Sequence, residues 1–262
     1  IWSNTNPYIS KSIADSKASG SFTINVNLYA WREITSMKII YSWHIYDQTG
    51  GQVKHKEQCI DAKGGGHNWQ CSFDINLPSK VGKYFFSLAL LVPFYWRYIP
   101  ESTLYVTWAE PKSDVKPTKE RWLDIATTWA NYATSKETIV QELIDSEYAN
   151  PFSWEYMDAS KPGFEDDWKN MIDTNNGDKS NCVIFAEVWN KLARVLGLDS
   201  DTDSYTSSGF VTSTKNALDN NNDANARYLI TNQRDRWLFT MHCVGKLGDN
   251  YYDPTFGLKG YT

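Results

Sequence analysis

Hydrophobic and polar residues alternate along much of the first 110 residues of the chain. Phe22, Ile24, Val26 and Leu28 are separated from one another by Thr or Asn, which is the period of a strand with one buried face. The same alternation returns at 39–45, 69–77, 84–90 and 104–108, and turn-forming residues separate these runs at 48–51, 64–66 and 78–80. Five or more strands over this length predict an N-terminal antiparallel β-sandwich of immunoglobulin-like size at residues 1–110.

A polar segment at 110–117, which contains two prolines, separates this region from a second pattern with the period of a helix. We therefore expect a domain boundary here and a second domain at 115–262. The first predicted helix carries one hydrophobic face, made of Trp122, Ile125, Ala126, Trp129 and Ala133. The sequence Thr-Ser-Lys-Glu at 134–137 has the form of a capping box and predicts the start of a second helix.

A third helix has the clearest local signals in the chain. Ser180 or Asn181 can cap its first N–H groups, and Gly197 ends it. Its hydrophobic stripe consists of Ile184, Val188, Leu192 and Val195. A polar surface loop with one possible strand is predicted at 200–225, and further strands at 227–230, 237–244 and 251–255. The predicted fold class is therefore α+β.

Composition and charge exclude two classes of protein. The chain has 262 residues, a net charge of −5 and a sequence pI near 5.4, so it lacks the basic excess of a nucleic-acid binder. The longest hydrophobic run, at 84–96, contains Pro93 and is shorter than the roughly 20 residues of a membrane-spanning helix. We therefore expect a soluble chain with no membrane span.

Four cysteines permit disulfides without requiring them. Cys59 and Cys71 are twelve positions apart on either side of three consecutive glycines, and we predict a bridge across a hairpin between them. Two unpaired buried thiols are the alternative. A bridge would indicate an oxidising compartment, and hence a secreted or cell-surface protein.

Cys182 lies in the first turn of the third predicted helix. The N–H groups and the positive dipole at a helix N-terminus favour the thiolate form of a cysteine there. The same N–H groups can stabilise the oxyanion of a tetrahedral intermediate. A structural thiol buried under the helix is the alternative interpretation.

Two later residues complete a possible triad with Cys182. Strand alternation places His242 and Cys243 on opposite faces of one predicted strand, which makes Cys243 the weaker candidate for a nucleophile. A type II′ turn at Gly248-Asp249 would set Leu247 opposite Asn250 and bring Asp253 onto the face of His242. A carboxylate bonded to one ring nitrogen would leave the other nitrogen to take the thiol proton.

These residues resemble the transglutaminase-like superfamily over about 115–262. The resemblance rests on GDKSNC at 177–182, Ala186, LARVLGL at 192–198, the strand with His242, and Asp-Pro-Thr at 253–255. It implies a papain-like α+β core with Cys182, His242 and Asp253 as its triad. A Trp upstream of the nucleophile often assists the oxyanion in this family, which makes Trp154 and Trp168 oxyanion candidates, with core packing as the alternative. Val244 and the segment 199–201 depart from the family's pattern near the expected substrate cleft.

The resemblance implies cysteine-nucleophile acyl transfer or hydrolysis on the amides of a protein or peptide substrate, with no cofactor. The alternative function is a surface adhesion module or a carbohydrate- or protein-binding module with an inactive core, since aromatic residues cluster at 93–98. No metal is predicted. Asp199, Asp201 and Asp203 match the start of a calcium-binding EF-hand loop, but Ser204 and Phe210 stand where that loop needs Gly and Glu.

Overall fold

The computed structural model describes residues 8–10, 21–92, 95–149, 167–174, 182–205, 242–255 and 257–261. The chain forms two compact units, Ile1–Glu110 and Pro111–Thr262, so the division falls in the polar segment noted in the sequence. The first unit is built from strands, whereas the second combines helices with an antiparallel sheet. The chain is therefore a mixed α and β protein. No helix among the described residues is long and apolar enough to cross a membrane.

The first unit contains two sheets. Its seven described strands are β1 (Tyr8–Ser10), β2 (Ser21–Ile34), β3 (Lys38–Tyr46), β4 (Gln52–Asp61), β5 (Lys63–Asn76), β6 (Gly82–Val92) and β7 (Tyr95–Thr107). One sheet has five strands in the order β1-β7-β6-β3-β4, and the other pairs β2 with β5. All pairings are antiparallel except that of β1 with β7, which is parallel.

The two sheets pack face to face, because each strand buries alternate residues. On β3 the inward residues Ile39, Tyr41, Trp43 and Ile45 are at most 2% exposed. The Tyr41 ring stacks on Phe73 of the other sheet, with ring centroids 4.4 Å apart. This interior of aromatic and aliphatic side chains is the sandwich core that the alternation predicted.

The predicted bridge between Cys59 and Cys71 is not formed, since both are free thiols. Cys59 is exposed on β4, opposite Ile40 of the five-stranded sheet, whereas Cys71 is buried on β5, opposite Val26 of the other sheet. The chain changes sheets at Ala62, and the three glycines lie within β5 instead of forming a hairpin turn. The prediction was wrong because β4 and β5 are not a pair, and the argument for an oxidising compartment no longer applies.

The second unit has four described α-helices: α1 (Glu120–Trp129), α2 (Lys136–Ala149), α3 (Asp167–Thr174) and α4 (Cys182–Val195). α1 ends before Ala133, which the sequence analysis had included, because Asn131 and Tyr132 adopt positive φ angles of 45° and 60°. α2 is capped by Ser135, whose Oγ accepts the Thr138 N–H at 3.1 Å. The predicted cap was one residue earlier.

α4 is the predicted third helix and forms the centre of the second unit. Ile184, Val188, Leu192 and Val195 are all at most 1% exposed. Gly197 ends the helix with a φ of 86°. Its N–H donates to the Arg194 carbonyl while the Leu198 N–H reaches Ala193, which is the Schellman arrangement.

Four strands form the sheet of the second unit in the order β11-β10-β9-β8. They are β8 (Ser200–Tyr205), β9 (His242–Leu247), β10 (Asn250–Asp253) and β11 (Leu258–Tyr261). β8 is the strand predicted within the polar segment 200–225. The strand predicted at 227–230 and the first part of that at 237–244 lie outside the described residues.

Candidate active site

Cys182 is the first residue of α4 and is 8% exposed. Its position follows from the sequence, because the buried stripe of the helix begins two residues later at Ile184. Cys182 packs in one small cluster with Ala186, one turn along the helix, and with Cys243 of β9. The thiol is therefore held where the positive end of the helix dipole favours a negative charge.

His242 is the first residue of β9, and its side chain is 14% exposed. Its Nε2 atom lies 2.6 Å from Oδ2 of Asp253. The nearby Cys182 thiol also acts on this imidazole and contributes to its raised pKa. The imidazole therefore has the Asp253 carboxylate on its Nε2 side, and its Nδ1 atom is buried.

The electrostatic environment favours the charged form of His242. Burial by itself lowers the pKa of the imidazole, but hydrogen bonds with Asp253 and Cys182 and the charges of both groups outweigh it and raise the pKa to about 9. An imidazolium beside a thiol is the arrangement that stabilises a thiolate. The imidazole of His242 is therefore charged near neutral pH.

Asp253 is 3% exposed and both of its oxygens are engaged. Oδ2 faces His242, and Oδ1 accepts the backbone N–H of Thr255 at 3.0 Å. The Asp-Pro-Thr segment thus folds back on its own carboxylate and fixes the carboxylate's orientation. A group held in this way can keep an imidazole in one tautomer and one orientation.

The hairpin of β9 and β10 brings His242 and Asp253 together. Gly248 has a φ of 60° and Asp249 has no positive φ, as a type II′ turn requires. The predicted pairing of Leu247 with Asn250 is confirmed, and the register continues to Tyr252 opposite Gly245. A two-residue turn therefore determines the distance between the His242 imidazole and the Asp253 carboxylate.

Cys243 lies closer to Cys182 than strand alternation indicated. It packs against Cys182 and Ala186 on the helix side of β9 and is 8% exposed. Burial, followed by the negative charges of Cys182, Glu187 and Asp203, raises the pKa of its thiol to about 12. Cys243 is therefore protonated at neutral pH.

The structure describes only one of the two oxyanion candidates, Trp168. Trp154 lies outside the described residues. Trp168 of α3 packs on Trp122 at 5.3 Å between ring centroids, and Lys191 Nζ lies 5.4 Å from its ring. Lys191 is nine residues along α4 from Cys182, about 13 Å along the helix axis, so these contacts favour core packing for Trp168. The Cys182 backbone N–H lies at the start of the helix, where N–H groups have no intrahelical acceptor.

Trp189 and Gly245, which the sequence analysis did not single out, determine how closely the helix and strand approach. Trp189 is fully buried on α4, stacks on Tyr252 at 5.3 Å and donates from Nε1 to the Val140 carbonyl. A Cβ added at Gly245 would lie 2.2 Å from this indole ring. The signal in the sequence was a glycine inside a strand, which often marks a close approach.

Metal ligands are not grouped in the described part of the chain, where no three His, Cys, Asp or Glu residues are placed to hold an ion. Asp199 instead pairs with Lys112 at 2.5 Å. Asp201 and Asp203 each accept the N–H of the residue that follows them.

Neither a protein-family model nor a curated protein matches the sequence. Among solved structures, a putative β-galactosidase from Bacteroides fragilis is 19% identical over 32% of this chain and 13% of its own, with a TM-score of 0.21. A glycosyl hydrolase family 2 member from Bacteroides cellulosilyticus is 15% identical over 35% of this chain and 13% of its own, with a TM-score of 0.24. An extracellular fragment of EsaA from Streptococcus gallolyticus is 13% identical over 67% of this chain and 49% of its own, with a TM-score of 0.20. These overlaps are too weak to assign a fold or an activity to the chain.

Proposed function

We propose that residues 115–262 form a transglutaminase-like, papain-type core that catalyses acyl transfer or hydrolysis on protein amides. The observation that carries the proposal is the position of the His242 imidazole, which lies 2.6 Å from the Asp253 carboxylate and interacts with the Cys182 thiol. The three residues come from a helix start and two neighbouring strands, in the chain order of the family that the sequence resembles.

A purely structural His–Asp pair is the main alternative, and two features argue against it. First, a structural pair gains nothing from a thiol placed against the same ring, yet Cys182 is held there at the N-terminus of α4. Second, Asp253 is fixed by the Thr255 N–H as well as by His242. Such support for one orientation is what an acid–base group requires.

The first chemical step is attack of the Cys182 thiolate on the carbonyl carbon of an amide. The C–S bond forms as the carbonyl π electrons move to oxygen, and the Cys182 N–H at the helix start can donate to that oxyanion. The His242 imidazolium then gives its proton to the leaving nitrogen as the C–N bond breaks. The products are an S-acyl enzyme and an amine, or ammonia where the amide is a glutamine side chain.

The second step removes the acyl group. His242, now neutral, takes a proton from water or from an amine, and the nucleophile displaces the Cys182 thiolate from the acyl carbon. Water gives a carboxylic acid, so the enzyme acts as a peptidase or deamidase. A primary amine gives a new amide, so the enzyme forms a crosslink.

The test is a comparison of the full-length protein with its Cys182→Ala variant on a casein substrate. Peptide cleavage, ammonia release and incorporation of a fluorescent primary amine are measured in parallel. We expect at least one of these to be catalysed and to fall to background in Cys182→Ala, with a thioester adduct on Cys182 detectable by mass spectrometry after acid quenching.

Cys243→Ala is the matched control, because it removes a second buried thiol from the same cluster. It should retain most of the activity. Equal activity of Cys182→Ala and the wild-type protein, or no Cys182-dependent reaction in all three assays, would reject the proposal.

A further inference from the structure

A groove of about 260 Å³ lies in the five-stranded sheet of the first unit, on the face opposite the sandwich core. The residues that matter here are Ser42, His44, Glu57, Ala89, Trp96 and Tyr98. The groove is independent of the proposed catalytic function, which concerns the second unit. Its shape and its polar groups indicate a ligand that has an apolar face on one side and several hydrogen-bond donors on the other.

The strand register explains why a groove forms on this face. Tyr98, Ala89, Ser42 and Glu57 lie in one row across β7, β6, β3 and β4. The two central residues of the row have small side chains, whereas the outer two have large ones. The centre of the row is therefore recessed between an aromatic wall and a carboxylate.

The aromatic wall is exposed to solvent. Trp96 is 43% exposed and Tyr98 is 76% exposed, and their rings stack with centroids 6.4 Å apart and planes 25° apart. These two residues belong to the aromatic cluster noted at 93–98, and they lie on strand β7. Two large adjacent rings left uncovered on a sheet face indicate a binding surface.

The polar part of the groove presents hydrogen-bond acceptors. His44 Nδ1 lies 2.9 Å from Gln52 Oε1, and the Gln52 amide nitrogen lies 3.0 Å from His55 Nδ1. With the amide oriented this way, Oε1 can only accept, so Nδ1 of His44 carries a proton, and in the neutral ring Nε2 is then an acceptor. The Ser42 hydroxyl, 3.0 Å from that Nε2, must then donate to it.

This hydrogen-bond chain leaves the groove with groups that accept hydrogen bonds from a ligand. The Ser42 oxygen has its proton directed at His44, so towards a ligand it can only accept. Glu57, an exposed carboxylate on the neighbouring strand, also accepts only. The ligand must therefore supply several donors on one side and an apolar face for the aromatic wall on the other.

We propose that the groove binds a neutral saccharide, with one pyranose ring seated between the aromatic wall and Glu57. The hydroxyl groups of a sugar donate to Ser42 and Glu57, and its C–H face packs on the negative faces of the Trp96 and Tyr98 rings. The Glu57 charge disfavours uronic acids and other anionic sugars. A proline-rich peptide would also stack on the aromatic wall, but it offers few N–H donors to the acceptors.

The test is affinity electrophoresis of the full-length protein through native gels that contain soluble arabinoxylan, mannan, mixed-linkage β-glucan or polygalacturonate. We expect retardation by at least one of the three neutral polymers and none by polygalacturonate. Trp96→Ala should weaken that retardation about tenfold or more, because it removes half of the stacking surface. Glu57→Gln should weaken it less, since the amide keeps one acceptor.

Tyr29→Ala is the matched control, because Tyr29 is 73% exposed but lies on β2 of the other sheet. It should bind as the wild-type protein does, and all variants should keep the wild-type circular dichroism spectrum. The absence of retardation by all three neutral polymers would overturn the proposal. So would equal weakening by Trp96→Ala and Tyr29→Ala, or binding of a proline-rich decapeptide in place of the sugars.

Discussion

Gly245 of β9 faces the indole ring of Trp189 so closely that an added Cβ would lie 2.2 Å from Cε3 and 2.3 Å from Cζ3. Both ring atoms belong to a side chain that is fully buried and that also stacks on Tyr252. Because Trp189 is fully buried, an added methyl group would have to displace a packed ring. The distance between α4 and β9, and hence between Cys182 and His242, depends on the absence of a side chain at position 245.

Gly245→Ala should therefore destabilise the second unit and separate Cys182 from His242. Overpacking of a filled core costs about 1–3 kcal/mol, measurable as a lower midpoint of urea unfolding. The rate of Cys182 alkylation should also fall. Gly65→Ala is the control, since no atom lies within 4 Å of its added Cβ. An unchanged midpoint of urea unfolding in Gly245→Ala would show that α4 and β9 can move apart without a loss of stability.

Asp253→Asn should lower the proposed amidase activity while leaving the fold intact. The amide cannot hold the imidazolium as the carboxylate does, and it permits the wrong ring tautomer. We expect a loss of about 10²-fold in kcat/KM, below the roughly 10⁴-fold seen when a serine enzyme loses this group, because a thiol proton is more acidic than a hydroxyl proton. His242→Ala should lose more. If the Asp253→Asn variant is as active as the wild type, Asp253 does not orient His242 and its proposed role is wrong.

The pH dependence of stability should show the charged state of His242. Its pKa rises from 6.5 to about 9 on folding, so its contribution to stability is fully present below pH 6.5 and is lost as the pH rises through 9. Urea unfolding of the wild-type protein at a series of pH values across this window should show that decline. Asp253→Asn should flatten it, since the carboxylate is the larger of the two groups that raise the pKa. A decline of the same size in both proteins would assign it to other residues.

Alkaline loss of activity should follow from the same titration. The proposed mechanism needs a protonated His242, so kcat/KM should fall above about pH 9. In Asp253→Asn the fall should begin at lower pH, because the group that raises the pKa has been removed. A profile that stays level beyond pH 10, where about nine-tenths of the imidazolium is gone, would contradict this assignment.

The four free thiols should react with iodoacetamide in a defined order. Cys182 should react fastest at pH 6, because it begins α4 beside the charged His242 imidazole, and cysteines in such positive surroundings are the reactive ones. Cys59 is the internal control, as an exposed thiol away from any such partner in the described structure. Burial raises the pKa of Cys71 and of Cys243, so both should react fully only in denaturant. In His242→Ala, Cys182 should lose its advantage over Cys59; mass spectrometry of tryptic peptides gives each rate.

Local signals made α4 and the β9–β10 hairpin predictable from sequence. The buried stripe and Gly197 are features of one helix, and Gly248 sets the register through a two-residue turn, so neither depends on distant parts of the chain. The placement of Cys182, His242 and Asp253 on a helix start and a hairpin followed from these elements. The contact between the helix and the hairpin did not, because it depends on Trp189 meeting Gly245.

The predictions that failed were those that needed long-range pairing. Cys59 and Cys71 are near each other in sequence, but β4 and β5 belong to different sheets, and sequence spacing carries no information on which strands pair. Ala133 continued the hydrophobic period of α1, but the positive φ angles of Asn131 and Tyr132 had already ended the helix. Trp168 was one of many tryptophans, and only its contacts with Trp122 and Lys191 show where it packs.

The two-residue turn at Gly248 and Asp249 also has a consequence for the order of folding. His242 and Asp253 are eleven positions apart and belong to one hairpin, and hairpins of this kind form in about 1–10 μs. Cys182 reaches them only when α4 docks, across a separation of sixty residues, and such non-local contacts form late. We expect the nascent chain to carry an ordinary, weakly nucleophilic cysteine until the second unit is complete. Its full reactivity would then arise only in the finished fold, which protects the unfinished chain from oxidation and from attack on its neighbours.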